Sequence, residues 1–405
     1  MRSYERFLNY VVVNTRSDES SATYPSSACQ FELGKLLAEE MKAIGIADAR
    51  CDEFCYVYGT IPATPGLEDK PALGLIAHMD TSPECSGENV KPILHANYDG
   101  KDVTLPDGTV LSLEKFPFLA KLKGETLITT DGTTLLGADD KAGVAEIMTA
   151  VEELIVSGRP HGKVCVCFTP DEEIGKGIAN FDIPGFGADF AYTVDGGDVG
   201  NLEYENFNAD SAHLDIRGFL VHPGTSKNKM INAINVAMEF QAALPAMDRP
   251  EHTQGREGFF HLLNFHGSVT DAHMDYIIRD HDRAAQEHRK ATMHHIADCL
   301  NEKYGAGTIS LEIKEQYRNM IEKIVPDHEH LLEHARKAIR MAGLEPVEVP
   351  FRGGTDGAML SWKGLPCPNL GTGGFNFHGT GECITAERMD KATEILGNII
   401  DLYAR

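Results

Sequence analysis

Apolar and polar positions along the chain follow two different patterns, and the change between them divides it. From residue 1 to about 207, short apolar runs alternate with stretches of helical periodicity. "ALGLIAH" (72–78), "KVCVCF" (163–168) and "DFAYTVD" (189–195) read as buried strands. Between them Val144, Ile147, Met148, Val151, Leu154 and Ile155 recur at helical spacing. Strand, helix, strand in succession predicts an α/β fold with a largely parallel sheet. The opening "MRSYERFLNYVVVNT" reads as an amphipathic helix rather than the unbroken apolar core of a signal peptide.

Near residue 208 the pattern becomes alternating. "SAHLDIRGFLVH" reads as a half-exposed strand, followed by a helix over about 228–244. Two further strands, "GFFHLLNFHGSV" and "AHMDYIIRDHD", a long polar helix over 282–303 and a last strand, "GTISLEIKEQY", complete the order β-α-β-β-α-β. That order is the ferredoxin-like split unit, and it predicts an insert over 208–318. From 319 the α/β style returns, with a helix over about 327–342, a short strand "VEVPF", two glycine-rich stretches, "RGGTDGA" and "GTGGFNFHGTGE", and a final helix. The expected organisation is therefore one domain in two segments, 1–207 and 319–405, interrupted by the insert.

Composition narrows the function without naming it. At 405 residues the chain exceeds what a single core usually serves. A formal net charge of −24 argues against nucleic acid or an anionic membrane as a partner and tolerates cations. No apolar run approaches a membrane span. The nine cysteines are scattered, which fits a reducing cytoplasm. "CDEFC" (Cys51, Cys55) has half of a zinc-finger spacing, but no second pair follows it.

Candidate chemistry lies where apolar strands end, the edge at which parallel α/β sheets build sites. In "GLIAHMDT", His78 and Asp80 are two residues apart and share a face if the strand continues, so Asp80 can accept one imidazole N–H and aim the other nitrogen. In "LLGADDKAG", Asp139 and Asp140 precede a helix. One of them serves as a cap, which leaves the second to explain. "TPDEEIGKG" places Asp171, Glu172 and Glu173 together beyond a strand, and Asp195 ends the strand in "TVDGG". His378 follows a glycine-rich run. Each of these taken alone is ordinary turn or cap chemistry. Together, two histidines with several aspartates and glutamates suit zinc, cobalt or manganese. A pair of ions also needs a shared carboxylate and a base outside the ligand set, and the residues suffice for both.

With those residues in view the sequence resembles the dinuclear zinc exopeptidases, the family that includes glutamate carboxypeptidase and acetylornithine deacetylase. The stretches that carry the resemblance are "FLNYVVVNTRSD", "LIAHMDTSPE", "LLGADDKAGVAEIM", "FTPDEEIGKG", "YTVDGG", "HPGTSKNKMINA", "EGFFHL", "YIIRDHD" and "FRGGTDGA". They cover nearly the whole chain in order. The resemblance implies a catalytic domain (1–207 and 319–405) with an inserted lid and dimerisation domain (208–318). It implies two Zn²⁺ per subunit, with Co²⁺ or Mn²⁺ as substitutes, and hydrolytic removal of the N-terminal residue from tripeptides. His78, Asp140 and Asp195 are the implied ligands of one ion. Asp140 bridges to the second, which Glu173 and His378 complete. Glu172 is the implied general base and Asp80 orients His78. His222, in "VHPG", stabilises the oxyanion, and Arg279 and Arg352 hold the substrate's carboxylate end. A cis peptide is implied after the bridging residue, at Asp140–Lys141. The loop "HGTGEC" departs from the family pattern, with Gly381 ahead of Glu382. The resemblance further implies a homodimer formed through the insert, hinge motion of the lid, and free tripeptides as substrates. The rival readings are a dipeptidase, carboxypeptidase or N-acyl-amino-acid deacylase of the same fold, a non-catalytic metal-binding protein, and an acidic structural protein with chance motifs.

Overall fold

The doubly buried apolar runs form the middle of an eight-stranded sheet. In the computed structural model, which describes residues 1–405, the strand order is Arg50–Cys51, Val57–Ile61, Val164–Thr169, Leu73–His78, Phe190–Gly196, Asn369–Gly371, Asn201–Glu203 and Val347–Glu348. The four central strands, from Val164–Thr169 to Asn369–Gly371, run parallel, and antiparallel pairings flank them. Leu73–His78 and Val164–Thr169 are buried at every position, which explains why they read as unbroken apolar runs instead of alternating ones.

The helix Ala138–Ser157 lies against the strands Leu73–His78 and Phe190–Gly196, and is itself covered by the helices Ser3–Val11 and Ala386–Tyr403. Burial on nearly all sides accounts for its weak amphipathicity. Tyr56, Tyr58, Phe181, Phe186, Leu360 and Leu365 belong to a second buried cluster of the same unit.

The sequence reading missed the helix Gln30–Ala43, the strands Val57–Ile61, Asn201–Glu203 and Asn369–Gly371, and a whole smaller substructure. Residues 93–129 contribute a three-stranded sheet with Ile384–Thr385 and a two-stranded ribbon, around a small core of Tyr98, Leu105, Leu111, Leu119 and Leu122. Its strands are two or three residues long, too short for periodicity to reveal. All nine cysteines are free thiols.

Contacts divide the chain into two units. One comprises Met1–Tyr204, Glu322–Val349 and Thr355–Arg405, and the other Glu205–Ile321 with Pro350–Gly354. The second unit has the four-stranded antiparallel order Phe259–Gly267, Asp271–Asp280, Asn208–Arg217, Ile309–Tyr317. With the helices Ala233–Ala243 and Arg283–Tyr304, this is the β-α-β-β-α-β topology. Ala212, Leu214, Ile216, Met274, Tyr276 and Ile278 turn inward to join Val236, Phe240, Met293 and Ile296 in one core. Alternate residues face outward, as the two-residue period requires.

Two elements are shorter than their patterns suggested. The first strand of this unit stops at Arg217, before "GFLVH". The helix expected from 228 starts at Ala233, where the Asn232 side chain accepts the Ile234 N–H at 3.0 Å and caps it. Where the chain enters and leaves the unit, asparagine amides join the two passes. Asn319 Oδ1 accepts the Asn206 N–H at 3.1 Å, and Asn206 Oδ1 accepts the Met320 N–H at 2.7 Å.

Candidate metal centre

Parallel strands end side by side, and the acids and histidines singled out above gather at that shared edge. His78 is the last residue of its strand and pairs in register with Thr169, which leads into Asp171–Glu173. Asp195 is near the end of the next strand, and His378 lies beyond the strand Asn369–Gly371 that follows it in the sheet.

Two imidazoles face one carboxylate. Asp139 Oδ1 is 2.9 Å from His78 Nε2, and Asp139 Oδ2 is 3.1 Å from His378 Nε2. Asp195 Oδ1 approaches His78 Nε2 at 3.4 Å, and Glu173 Oε2 approaches His378 Nε2 at 2.9 Å. Donor atoms of His78, Asp140 and Asp195, and likewise of His78, Asp139 and Glu173, lie within 4.8 Å of one another. Each imidazole has a carboxylate behind it. His78 Nδ1 is 3.1 Å from the Asp80 main-chain carbonyl oxygen and 3.3 Å from Asp80 Oδ1, and His378 Nδ1 is 3.2 Å from Glu84 Oε2. Such partners fix the ring and its tautomer, leaving the other nitrogen for a cation.

Asp140 is held by two backbone N–H groups, one on the neighbouring strand and one in its own helix. Its Oδ2 accepts the His78 N–H at 3.1 Å and its Oδ1 the Gly143 N–H at 3.2 Å. The shared position between the two imidazoles is thus held by Asp139, one residue before the expected bridge. The cis peptide is likewise one residue earlier than expected, at Asp139–Asp140 and not at Asp140–Lys141. Gly143 follows because there is no room for a side chain: a Cβ there would lie 1.9 Å from the Val194 carbonyl oxygen.

The three adjacent acids have three surroundings. Asp171, in the left-handed region at φ 56°, accepts the Ser26 N–H at 2.6 Å and the Gln30 side-chain N–H at 2.7 Å, with the Ser26 hydroxyl also donating to it. It anchors the turn. The fully buried Asp80 then takes the Glu172 N–H on Oδ1 at 3.0 Å and the Glu173 N–H on Oδ2 at 3.2 Å, while the Ser17 hydroxyl donates to it as well. One carboxylate thus orients His78 and also sets the backbone that carries both glutamates.

The electrostatics call for a cation. Burial, then the charge of Asp195, raises Glu172 well above the usual carboxylate range. Burial, then Asp139, pushes Glu173 up to about 7, and burial pushes Asp195 up to about 7. Burial also opposes ionisation of Asp139, but hydrogen bonds from His378 and His78 outweigh it and hold that carboxyl below its usual range. Bonds to Asp139 and then Glu173 hold His378 up to about 11. In the metal-free chain the imidazoles thus take up protons to balance the carboxylates. Glu173 Oε1 is buried with no hydrogen-bond partner, a cost of about 1–3 kcal/mol that a bound ion removes. A set of imidazoles and carboxylates with an orphaned oxygen fits borderline divalent ions.

Several supporting residues gave no signal in the sequence. Glu382 accepts the N–H groups of Leu136, Gly137 and Asp139 at 2.7, 2.7 and 3.0 Å, so the unusual "HGTGEC" loop ties the loop of His378 to that of Asp139. Asn369 accepts the Asp195 N–H at 3.1 Å and donates to Glu203 at 2.9 Å. Asp356 is buried behind Thr169, whose hydroxyl donates to it at 2.8 Å, and burial pushes it up to about 7.

The remaining expected residues belong to the second unit. His222 is exposed, and its Nδ1 accepts the Gly224 N–H at 3.1 Å. Arg279 is buried over the Tyr317 ring and donates to the Asp210 carbonyl and Gln316. Arg352 lies over Phe207 and Phe259 and donates to the carbonyls of Gly255 and Glu257. Cys51 and Cys55 are not part of any three-donor metal cluster.

Comparison with known proteins agrees in sequence and in fold. The family model described as peptidase family M20/M25/M40 matches residues 127–402. A relative named peptidase T, from Geobacillus kaustophilus (strain HTA426), is 55% identical over 402 residues, covering 98% of this chain and 97% of its own. The crystal structure of an aminopeptidase PepT from Bacillus cereus superposes with a TM-score of 0.80 at 23% identity, over 100% of this chain and 98% of that one. A tripeptidase from Staphylococcus aureus does so with a TM-score of 0.78 at 24% identity, again over 100% and 98%.

Proposed function

This chain belongs to peptidase family M20/M25/M40, and from that premise we propose that it is a metal-dependent aminopeptidase releasing the N-terminal residue of tripeptides. The observation that carries the chemistry is the arrangement of His78, Asp195, Glu173 and His378 around Asp139, with Glu172 beside them on the same turn. The substrate class rests on the full-length similarity to proteins named peptidase T.

We assign Asp139 as the carboxylate that a pair of ions would share; His78 and Asp195 would hold one ion, and Glu173 and His378 the other. Its two oxygens each face one imidazole, whereas Asp140 is engaged by backbone N–H groups. Zinc suits this set, with cobalt or manganese as substitutes. When bound, such a pair of ions polarises a carbonyl and lowers the pKa of water. Asp80 and Glu84 hold the imidazoles, and Asp80 also fixes the backbone of Glu172. Glu172, its proton affinity raised by burial, takes a proton from the attacking water and gives it to the leaving amine.

His222 for the oxyanion, and Arg279 and Arg352 for the substrate carboxylate, are assigned on the resemblance of their surrounding sequence. Substrate recognition by the insert and a homodimer formed through it rest on the same resemblance. The free cysteines support a reducing cytoplasm, and no helix is long and apolar enough to cross a membrane.

The test is a digest of a panel of free tripeptides, with dipeptides and N-blocked tripeptides as controls. Release of the N-terminal residue from free tripeptides alone is expected. Preferential cleavage of dipeptides or N-acyl amino acids would overturn the reading in favour of a dipeptidase or deacylase.

A further inference from the structure

The outward face of the four-stranded sheet carries a second group of metal-capable side chains. His213 and Asp215 lie two residues apart on the strand Asn208–Arg217, and His273 and Asp275 two apart on the strand Asp271–Asp280. The antiparallel register sets Asp215 opposite His273 and His213 opposite Asp275. The intervening Leu214 and Met274 point into the core, so the four polar side chains share the outer face.

Three of their donor atoms converge. Asp215 Oδ1 lies 3.3 Å from His213 Nε2 and 2.5 Å from His273 Nδ1, and the three donors lie within 4.8 Å of one another. The two rings are nearly parallel, 20° apart in plane with centroids at 6.3 Å. Behind His213, Asp275 Oδ1 is 2.6 Å from Nδ1. That is the relation Asp80 and Glu84 bear to the imidazoles of the first unit. A carboxylate on Nδ1 keeps the proton there and leaves the Nε2 lone pair facing Asp215. His273 Nδ1 shares a proton with the same Asp215 oxygen at 2.5 Å, and an ion that displaces this proton would be met by both imidazole nitrogens and the carboxylate together. The side chains of His213, Asp215 and His273 are 46%, 48% and 47% exposed, so an ion in solution reaches them.

We propose that His213, Asp215 and His273 form a surface site for one borderline divalent transition ion, such as zinc, nickel or copper, with Asp275 positioning His213. Two imidazoles and one carboxylate leave a coordination position for water. Calcium and magnesium, which prefer all-oxygen sets, are excluded by the two nitrogens. The ion ties the two central strands of the sheet together across their outer face. This site is independent of the centre in the first unit and of the proposed peptidase activity.

The test uses full-length protein already loaded at its first centre, titrated with zinc against a chromophoric chelator. Wild type is expected to take up one more ion per chain than the double variant His213→Ala/His273→Ala. Asp275→Asn keeps all three ligands and is expected to weaken binding about tenfold or more. His294→Ala, on the helix Arg283–Tyr304, is expected to bind as wild type does. With copper(II), paramagnetic resonance is expected to show nitrogen ligation that the double variant lacks. Equal ion uptake and affinity in wild type and double variant would overturn the site and leave these histidines as proton-bearing partners of the aspartates. Unchanged affinity in Asp275→Asn would overturn the positioning role.

Discussion

Glu172 and Glu173 are neighbours in sequence with different surroundings. Glu173 has one oxygen 2.9 Å from His378 Nε2 and the other buried without a partner, whereas Glu172 owes its raised proton affinity first to burial. Glu172→Gln is therefore expected to lower turnover by about 10²–10⁴-fold with metal content intact. Glu173→Ala is expected to lose metal, read by elemental analysis of the purified protein. Equal metal loss in both variants would refute the division of labour. A similar contrast separates the paired aspartates. Asp139→Ala removes the carboxylate between two imidazoles and is expected to reduce the number of ions bound. Asp140→Asn weakens two backbone contacts and is expected to cost about 1–2 kcal/mol in denaturant unfolding, with a smaller effect on metal. If Asp140→Asn proves the more damaging to metal, the shared position belongs to Asp140 after all.

Among the elements, the loops after the strands decide the site, and buried carboxylates join those loops to each other. Glu382 is the clearest case, because three backbone N–H groups of the 136–139 loop converge on it. Glu382→Ala leaves those donors buried and unpaired. It is expected to destabilise the metal-free protein by about 3 kcal/mol or more and to weaken metal binding through Asp139 and His378. Chemical denaturation in chelator, compared with a metal titration, separates the two effects. Unchanged stability would mean that water takes the place of the carboxylate. The central strands Leu73–His78, Val164–Thr169 and Phe190–Gly196 were plain from the sequence, since a strand buried on both faces has to be continuously apolar. The 93–129 segment was not, because its strands are too short to establish a period.

For the molecule as a whole, the acidic centre makes stability depend on both metal and pH. In the metal-free chain, burial holds Glu173 and Asp195 at about 7, against ordinary values of 4.5 and 3.8. Between those ordinary values and about 7 the folded chain keeps protons that the unfolded chain releases. Metal-free stability therefore falls as pH rises through that window. Bound cations favour the ionised acids and oppose the fall. The drop in melting temperature on chelation is accordingly expected to be larger near pH 8 than near pH 6. An equal drop at both would show that these carboxyls do not govern metal-linked stability.

The sequence by itself determined the class of fold, the order of elements in the second unit and three central strands of the first, and it pointed to the strand ends where the donors gather. Hydrophobic period and glycine placement are local properties, and the chain displays them directly. It also determined the donor types, because metals select nitrogen and oxygen ligands by chemistry. Only the tertiary structure showed that Asp139, and not Asp140, stands between His78 and His378, for two adjacent aspartates are alike until the backbone sets one between the imidazoles and the other against the N–H groups of His78 and Gly143. Only the structure showed Glu382, Glu84 and Asn369 as supports, since their partners are far away in sequence. And only strand register brought His213, Asp215 and His273 onto one patch of sheet, a proximity that no spacing along the chain expresses.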